Sequence, residues 1–246
     1  AMIYAAAQTA DLMVDAGRRQ DRATQDKHDD TLGFYTPILK GFLTEMGLEA
    51  ANLGMQVFGG HGYIHEHGME QIARDARIAT LYEGTTGIQA LDLLGRKVLL
   101  GTRGKCVRDF SRIMLRSAKA HWLAHGSIGR MARSTAKRAI EWNLLTLRIM
   151  RRVGKDRDLV GSASVDYLMY SGYVMMAHFW ARQAAVAQTF LRNGKGAESA
   201  EFYRAKIQTA EFFFDRLLPR ADAHRKSALA PTRSLMQMGN GDFAFS

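Results

Sequence analysis

Residues 56–89 read QVFGGHGYIHEHGMEQIARDARIATLYEGTTGIQ and carry the strongest local signal in this chain of 246 residues. Four glycines in the ten positions 59–68 predict a loop after a helix end, with backbone open to close approach by a flat or phosphorylated ligand. Glu83 follows between an aromatic residue and a glycine, just before Thr85 or Thr86, either of which can cap a helix. Such a helix start offers N–H groups to a phosphate or an oxyanion. Spacing alone leaves Glu83 open to two interpretations, a catalytic carboxylate or an exposed loop glutamate.

Helical patterns lead up to this segment. Apolar residues recur at helix spacing over residues 2–19, and the charged stretch 18–30 indicates a helix end that runs into an exposed loop. Thr36-Pro37 then predicts the cap and first residue of a second helix, which should end at Gly59-Gly60.

Helical patterns also continue after it. We expect a short helix over 69–77 and another from the Thr85-Thr86 pair to about Leu100, with Gly101 and Gly104 as a boundary. Further helices are predicted over 105–123, 127–153, 162–192 and 197–217, then a short one from Ala230-Pro231 and a loose tail from Gly239. In no stretch long enough for a β-strand do apolar and polar residues alternate with period two. The predicted fold is all-α: an up-and-down helical bundle in residues 1–101, followed by a second helical domain in residues 102–246.

Composition narrows the function classes. A single cysteine, Cys106, excludes an internal disulfide and argues against a cysteine-ligated metal site, so it is interpreted as a structural thiol. No apolar run reaches the roughly 20 residues that span a bilayer. Asp11 and Asp15 interrupt the N-terminal stretch, which does not read as a signal peptide. We therefore expect a cytoplasmic protein, and the uncapped helical start indicates the middle of a longer polypeptide.

The net charge of +10 is unevenly distributed. Residues 1–100 hold 9 Lys/Arg and 13 Asp/Glu, a net −4, whereas residues 101–246 hold 25 and 11, a net +14. A basic surface of this kind is compatible with a solvated face, an acidic neighbouring domain, coenzyme phosphates or nucleic acid.

Together these residues resemble the C-terminal helical domain of acyl-CoA dehydrogenases. The resemblance covers about residues 1–100 and is specific in combination. It rests on Asp15-Ala16-Gly17-Arg18, Gln56, Gly59-Gly60, Gly62-Tyr63, Glu66, Arg74-Asp75-Ala76-Arg77, Tyr82-Glu83-Gly84-Thr85 and Ile88-Gln89. Residues 105–246 resemble more loosely the extra helical domain of longer bacterial members, a group that includes methylthiopropionyl-CoA dehydrogenases; Leu93-Leu94-Gly95-Arg96-Lys97 at the junction is typical of it.

The resemblance implies a catalytic role for Glu83. In the family, the matching glutamate takes the α-proton of an acyl-CoA thioester while a hydride passes from the β-carbon to FAD, and its backbone N–H helps to bind the thioester oxygen. Gly84 would leave room for the thioester. The residues implied to contact FAD are Gln56, Phe58, Gly59, Gly60, Thr85, Gly87 and Gln89.

The resemblance further implies a homo-oligomer, a dimer or tetramer, because the first four of these residues reach the flavin of a neighbouring subunit. An electron-transfer flavoprotein is the implied electron acceptor. Two departures stand out: His67-Gly68-Met69 alters the usual loop, and Ala90 replaces a frequent arginine. The family's N-terminal helical domain and β-domain have no counterpart here, so this chain by itself is expected to be inactive.

Other interpretations carry less weight. A DNA-binding member of the same superfamily, related to the alkylation response, would use the basic C-terminal half. A metal site at His61, His65 and His67 is disfavoured because no second ligand cluster is evident. Arg74-Asp75 is interpreted as a structural ion pair. The aromatic residues downstream are interpreted as helix core rather than a base-stacking surface: Trp142, Tyr167, Tyr170, Tyr173, Phe179, Trp180 and Phe212-Phe213-Phe214.

Overall fold

A computed structural model describes residues 1–243, apart from the side chain of Asn240. These residues form helices and no strand, which confirms the all-α prediction. The α-helices are α1 (Met2–Arg18), α2 (Arg22–Val57), α3 (Gly60–Tyr63), α4 (Met69–Ile78), α5 (Thr86–Leu91), α6 (Lys105–Ala120), α7 (Gly126–Val153), α8 (Leu159–Asn193), α9 (Ala200–Phe212), α10 (Arg220–Ser227) and α11 (Arg233–Met236). Two π-helices, Asp92–Gly101 and Phe213–Leu217, prolong α5 and α9, and 3-10 turns lie at His65–His67 and Asn240–Phe243.

The start of α2 differs from the prediction. The helix begins at Arg22, where the Asp21 side chain accepts a hydrogen bond from the Thr24 N–H at 3.1 Å, and it runs through Pro37 without ending. Thr36 does not act as a cap, because its hydroxyl donates to the Leu32 carbonyl at 2.8 Å. The charged stretch is thus largely helical. Packing of α2 against α1 stabilises this part of the helix beyond what local propensity provides.

Three smaller predictions also need correction. The glycine-rich stretch 59–68 is not a plain loop, since it holds α3 and a 3-10 turn. A short helix, α10, follows Pro219 where none was predicted, and the next one begins at Arg233, two residues after Pro231. Three residues of the predicted tail, 244–246, lie outside the described residues.

The core runs along α8. This helix packs against α2, α5, α7, α9 and α10. Gly172 lies so close to α2 that an added Cβ would overlap the Phe42 ring. One cluster of buried side chains extends from Met2 to Ala228, so core packing is continuous past residue 101; the division into domains 1–101 and 102–246 stays a prediction.

Most of the predicted core aromatics are buried. Trp142, Tyr167 and Tyr170 are fully buried, and Tyr173 and Phe213 nearly so. The prediction was wrong for Phe212, which is 57 % exposed. Within residues 1–243, no helix is long and apolar enough to cross a membrane.

Candidate active site

Glu83 lies on a tight turn between α4 and α5. Its φ is +48° and that of Gly84 is +92°, so two consecutive residues occupy the left-handed half of backbone space. For a glutamate this conformation costs about 1–2 kcal/mol relative to ordinary backbone. The Glu83 side chain is exposed. A strained backbone therefore presents a carboxylate at the surface, and the surrounding contacts must hold it there.

One anchor of this turn is Lys40, in the middle of α2. Its ammonium donates hydrogen bonds to the carbonyls of Ala79 and Tyr82, the latter at 3.1 Å. The same ammonium lies 4.7 Å from the centre of the Tyr82 ring. A cation at the C-terminal end of a helix stabilises the unpaired carbonyls there. Lys40 thereby ties the residues before Glu83 to α2.

The other side of the turn is fixed by the start of α5. Thr85, one of the two residues proposed from the sequence, caps the helix, and its hydroxyl accepts from the Ile88 N–H at 3.5 Å. The Thr86 hydroxyl donates to Glu45 on α2 at 2.5 Å. The Gln89 amide lies against Gly84, where a Cβ would collide with it. Gly84 is therefore favoured by its backbone conformation, and the Gln89 amide lies in the space beside its Cα.

The glycine-rich segment lies at the far end of α2. Phe58 terminates the helix and is 49 % exposed, and Gly59 follows with φ +59°. Gly59 and Gly60 have open space where a Cβ would stand. Gln56, just before them, lines an open cleft of about 770 Å³ between α2, α8 and α10.

The structure does not gather all predicted flavin residues into one place. Thr85 caps α5, and Gly87 and Gln89 belong to it. This helix meets α2 near Glu45, whereas the segment from Gln56 to Gly60 begins 11 residues further along α2. At 1.5 Å per residue, that separation is about 16 Å along the helix. The two groups of predicted flavin residues therefore lie at two different positions along α2.

The predicted pair of Arg74 with Asp75 was wrong. Arg74 lies 3.8 Å from Glu70, and Asp75 accepts a hydrogen bond from Gln71 at 2.8 Å. Neighbouring residues of a helix point in different directions, so partners are found three or four positions away. Among the histidines, His65 contacts Glu70 at 3.2 Å, and residues 1–243 contain no cluster of three or more potential metal ligands.

Two residues of the site were missed in the sequence. Lys40 and Glu45 are five positions apart in a long helix, and each contacts a residue about 40 positions downstream. No local motif marks them, because their roles follow from how α2 lies against the turn.

Two models of known protein families together match nearly the whole chain. Residues 108–239 match the model described as "Acetyl-CoA dehydrogenase C-terminal like", and residues 1–99 match "Acyl-CoA dehydrogenase, C-terminal domain". The chain belongs to the acyl-CoA dehydrogenase family. The resemblance found in residues 1–100 is therefore confirmed, as is the looser one over residues 105–246.

Curated relatives agree with this assignment. The chain is 36 % identical over 190 residues to the 3-methylmercaptopropionyl-CoA dehydrogenase of Ruegeria pomeroyi. The aligned residues cover 77 % of this chain and 32 % of the relative. It is 28 % identical over 219 residues to the broad-specificity linear acyl-CoA dehydrogenase FadE5 of Mycobacterium tuberculosis, covering 84 % of this chain and 34 % of the relative. The chain thus spans about a third of the length of these two relatives.

Proposed function

We propose that this chain forms the C-terminal part of an FAD-dependent acyl-CoA dehydrogenase in which Glu83 removes the α-proton of the substrate. The observation that carries the proposal is the geometry of the Glu83 turn. A carboxylate on strained backbone, exposed and held from both sides by α2, suits a base that must meet a substrate in one orientation.

The chemistry assigned to this chain is proton transfer and binding of the thioester. The Glu83 carboxylate takes the proton from the carbon next to the thioester carbonyl. The pair of electrons left behind is shared with the carbonyl oxygen in the transition state and forms the double bond between the α- and β-carbons when the hydride leaves the β-carbon. Expulsion of water by the acyl chain makes a bare carboxylate less stable and so favours proton capture. The Glu83 N–H then stabilises the growing charge on the oxygen, and Gly84 adds no side chain next to that N–H.

The residues of the chain fit a flavin as ligand. Gly59, Gly60 and Gly87 present backbone with nothing within 4 Å of an added Cβ, so a flat ring or a phosphate can approach them closely. Gln56, Phe58, Thr85 and Gln89 would complete the contacts. When bound, FAD supplies the acceptor for the hydride that leaves the β-carbon.

We include an oligomer in this proposal because the resemblance assigns the group from Gln56 to Gly60 to the flavin of a neighbouring subunit. A separation of about 16 Å along α2 between the two flavin-contact groups is compatible with that assignment. The relatives named above act on acyl-CoA substrates, and we propose the same class here, with an electron-transfer flavoprotein as electron acceptor.

The test is reduction of the flavin in the full-length protein that carries this chain. Anaerobic titration with acyl-CoAs of several chain lengths should bleach the visible band of the oxidised flavin, and Glu83→Gln should slow bleaching by at least about a thousandfold. Glu198→Gln, at an exposed glutamate between α8 and α9, removes the same charge and should react as the unaltered protein does. Bleaching at an undiminished rate in Glu83→Gln would exclude Glu83 as the base.

The DNA-binding alternative is separated by a second measurement. Exposed cations of α6 and α7 include Arg116, Lys119, Arg148 and Arg151, but charge alone does not select nucleic acid. DNA binding would appear as retention on duplex DNA that weakens steeply with salt. We expect no retention at physiological salt.

A further inference from the structure

The peptide bond between Tyr82 and Glu83 links Lys40 to the proposed reaction centre. The Tyr82 carbonyl accepts the hydrogen bond from the Lys40 ammonium at 3.1 Å. The Glu83 N–H belongs to the same planar unit, and no peptide bond in residues 1–243 is cis. In a trans peptide the N–H points opposite to the C=O. Whatever fixes the direction of the Tyr82 carbonyl therefore also fixes the direction of the Glu83 N–H.

Lys40 restrains this peptide in several ways at once. Its ammonium also bonds to the Ala79 carbonyl and lies 4.7 Å from the centre of the Tyr82 ring. Its α2 backbone continues to Glu45, which holds the Thr86 hydroxyl at 2.5 Å on the other side of the turn. Rotation of the Tyr82–Glu83 peptide would break the Lys40 contact while the next residues stay tied to the same helix. The peptide is thus held in one orientation before any substrate arrives.

The contact has an electronic consequence as well. A cation at the carbonyl oxygen draws electron density through the conjugated amide, which makes the N–H on the other side a stronger donor. A donor aimed in advance is most effective where charge develops during the reaction.

We propose that Lys40 is a positioning residue for the reaction: it aims and polarises the Glu83 N–H toward the thioester oxygen. This inference rests on the proposed function. In this role Lys40 does not contact the substrate. It acts on the substrate carbonyl through the Tyr82–Glu83 peptide. The proposed role requires both the reach and the charge of the lysine side chain.

The test replaces Lys40 with methionine in the full-length flavoprotein. Lys40→Met keeps most of the side-chain length and removes the ammonium. Lys27→Met is the matched control, because Lys27 is exposed on the same helix and its ammonium has no hydrogen bond or ion pair within residues 1–243. We expect kcat to fall about tenfold in Lys40→Met with little change in KM, since the lost stabilisation belongs to the transition state. Lys27→Met should keep both values.

Two further readouts separate positioning from general damage. A 3-thiaacyl-CoA has sulfur in place of the β-carbon and cannot lose a hydride, so exchange of its α-protons in D2O reports proton removal alone. This exchange should slow by about the same tenfold factor in Lys40→Met. Amide hydrogen exchange of residues 79–86, measured without substrate, should become faster, as the peptide loses its restraint.

The outcomes distinguish this inference from the proposed function. If acyl-CoAs do not reduce the flavin of the unaltered protein, the proposed function fails. If they do, and Lys40→Met exchanges α-protons as fast as Lys27→Met, the positioning role is wrong while the function stands. Should Lys40→Met lose its flavin, Lys40→Gln takes its place; it keeps an N–H donor without the charge, and the same slowing of α-proton exchange is expected.

Discussion

Replacing Gly172 with alanine should destabilise the protein, because this glycine is the point where α8 meets α2. A Cβ at Gly172 would overlap three ring carbons of Phe42, the most distant of them at 2.6 Å. Ordinary carbon contacts lie at about 3.5–4.0 Å. Phe42 is fully buried and packs edge-on against Tyr173, with ring centres 5.0 Å apart, so its ring has no free space to enter. Either the two helices separate or the ring adopts a strained position.

The magnitude follows from two opposing effects. Inserting a methyl group into a packed core costs about 1–3 kcal/mol, and the closeness of Phe42 favours the upper part, about 2–3 kcal/mol. Alanine in place of glycine inside a helix returns about 0.5–1 kcal/mol. The net loss is about 1–2.5 kcal/mol, which lowers Tm by about 2–10 °C in a chain of this size.

Thermal unfolding followed by circular dichroism measures this change, and α8 provides its own control. Gly161 is exposed on the same helix, and a Cβ there would meet nothing within 4 Å. Gly161→Ala should therefore raise Tm by about 1–4 °C. Equal Tm values for the two variants would refute the close contact between α2 and α8 at Gly172.

Three further predictions concern polar groups in or next to the core. Asp222→Asn should cost about 1–2 kcal/mol at neutral pH, because Asp222 forms a two-point ion pair with buried Arg138 at 2.6 and 2.8 Å but is itself 42 % exposed. The hydrogen bond with Arg138 lowers the pKa of Asp222, so the stabilisation by this ion pair is present above about pH 4 and is lost as the pH falls further. Urea unfolding at several pH values measures this change. The loss of stability that belongs to the Asp222 pair should appear in the unaltered protein and be absent from Asp222→Asn. Burial lowers the pKa of His178 to about 4, so the contribution of the neutral imidazole to the free energy of unfolding is full above about pH 6.5 and declines as the pH falls toward 4. The same urea unfolding experiments on His178→Phe should lack that decline. An unchanged dependence of stability on pH would contradict a neutral buried imidazole. Burial raises the pKa of the Cys106 thiol, so iodoacetamide at mildly alkaline pH should label it at least about tenfold more slowly in the folded protein than in urea. Mass spectrometry quantifies the labelled fraction. Equal labelling rates would mean that the thiolate is accessible in the folded protein.

Features that depend on a few neighbouring residues could be predicted from the sequence. The cap at Thr85, the end of α2 before Gly59 and the helix from Met69 all follow from side-chain and backbone preferences that act within one helical turn. The family resemblance had the same origin, because it depends on the order and spacing of residues in segments such as Tyr82-Glu83-Gly84-Thr85.

Predictions failed where tertiary packing outweighs local preference. Thr36-Pro37 has the composition of a helix start, yet it lies inside α2, because the buried face of this helix includes Phe34, Ile38 and Phe42. Packing of α2 against α1 keeps the charged residues before it helical. Local propensities amount to a fraction of a kcal/mol per residue, whereas burial of a single large apolar side chain contributes about 1.5–3 kcal/mol.

The sequence by itself determined the fold class, the family and the position of Glu83, because each is encoded in residues close together along the chain. Only the tertiary structure decided how Glu83 is held. The contacts from Lys40 to Tyr82 and from Glu45 to Thr86 join residues about 40 positions apart, and they exist because α2 is one unbroken helix lying beside the turn. Hydrogen bonds of this kind require positions within about 3 Å, which packing of the whole chain sets and residue order does not.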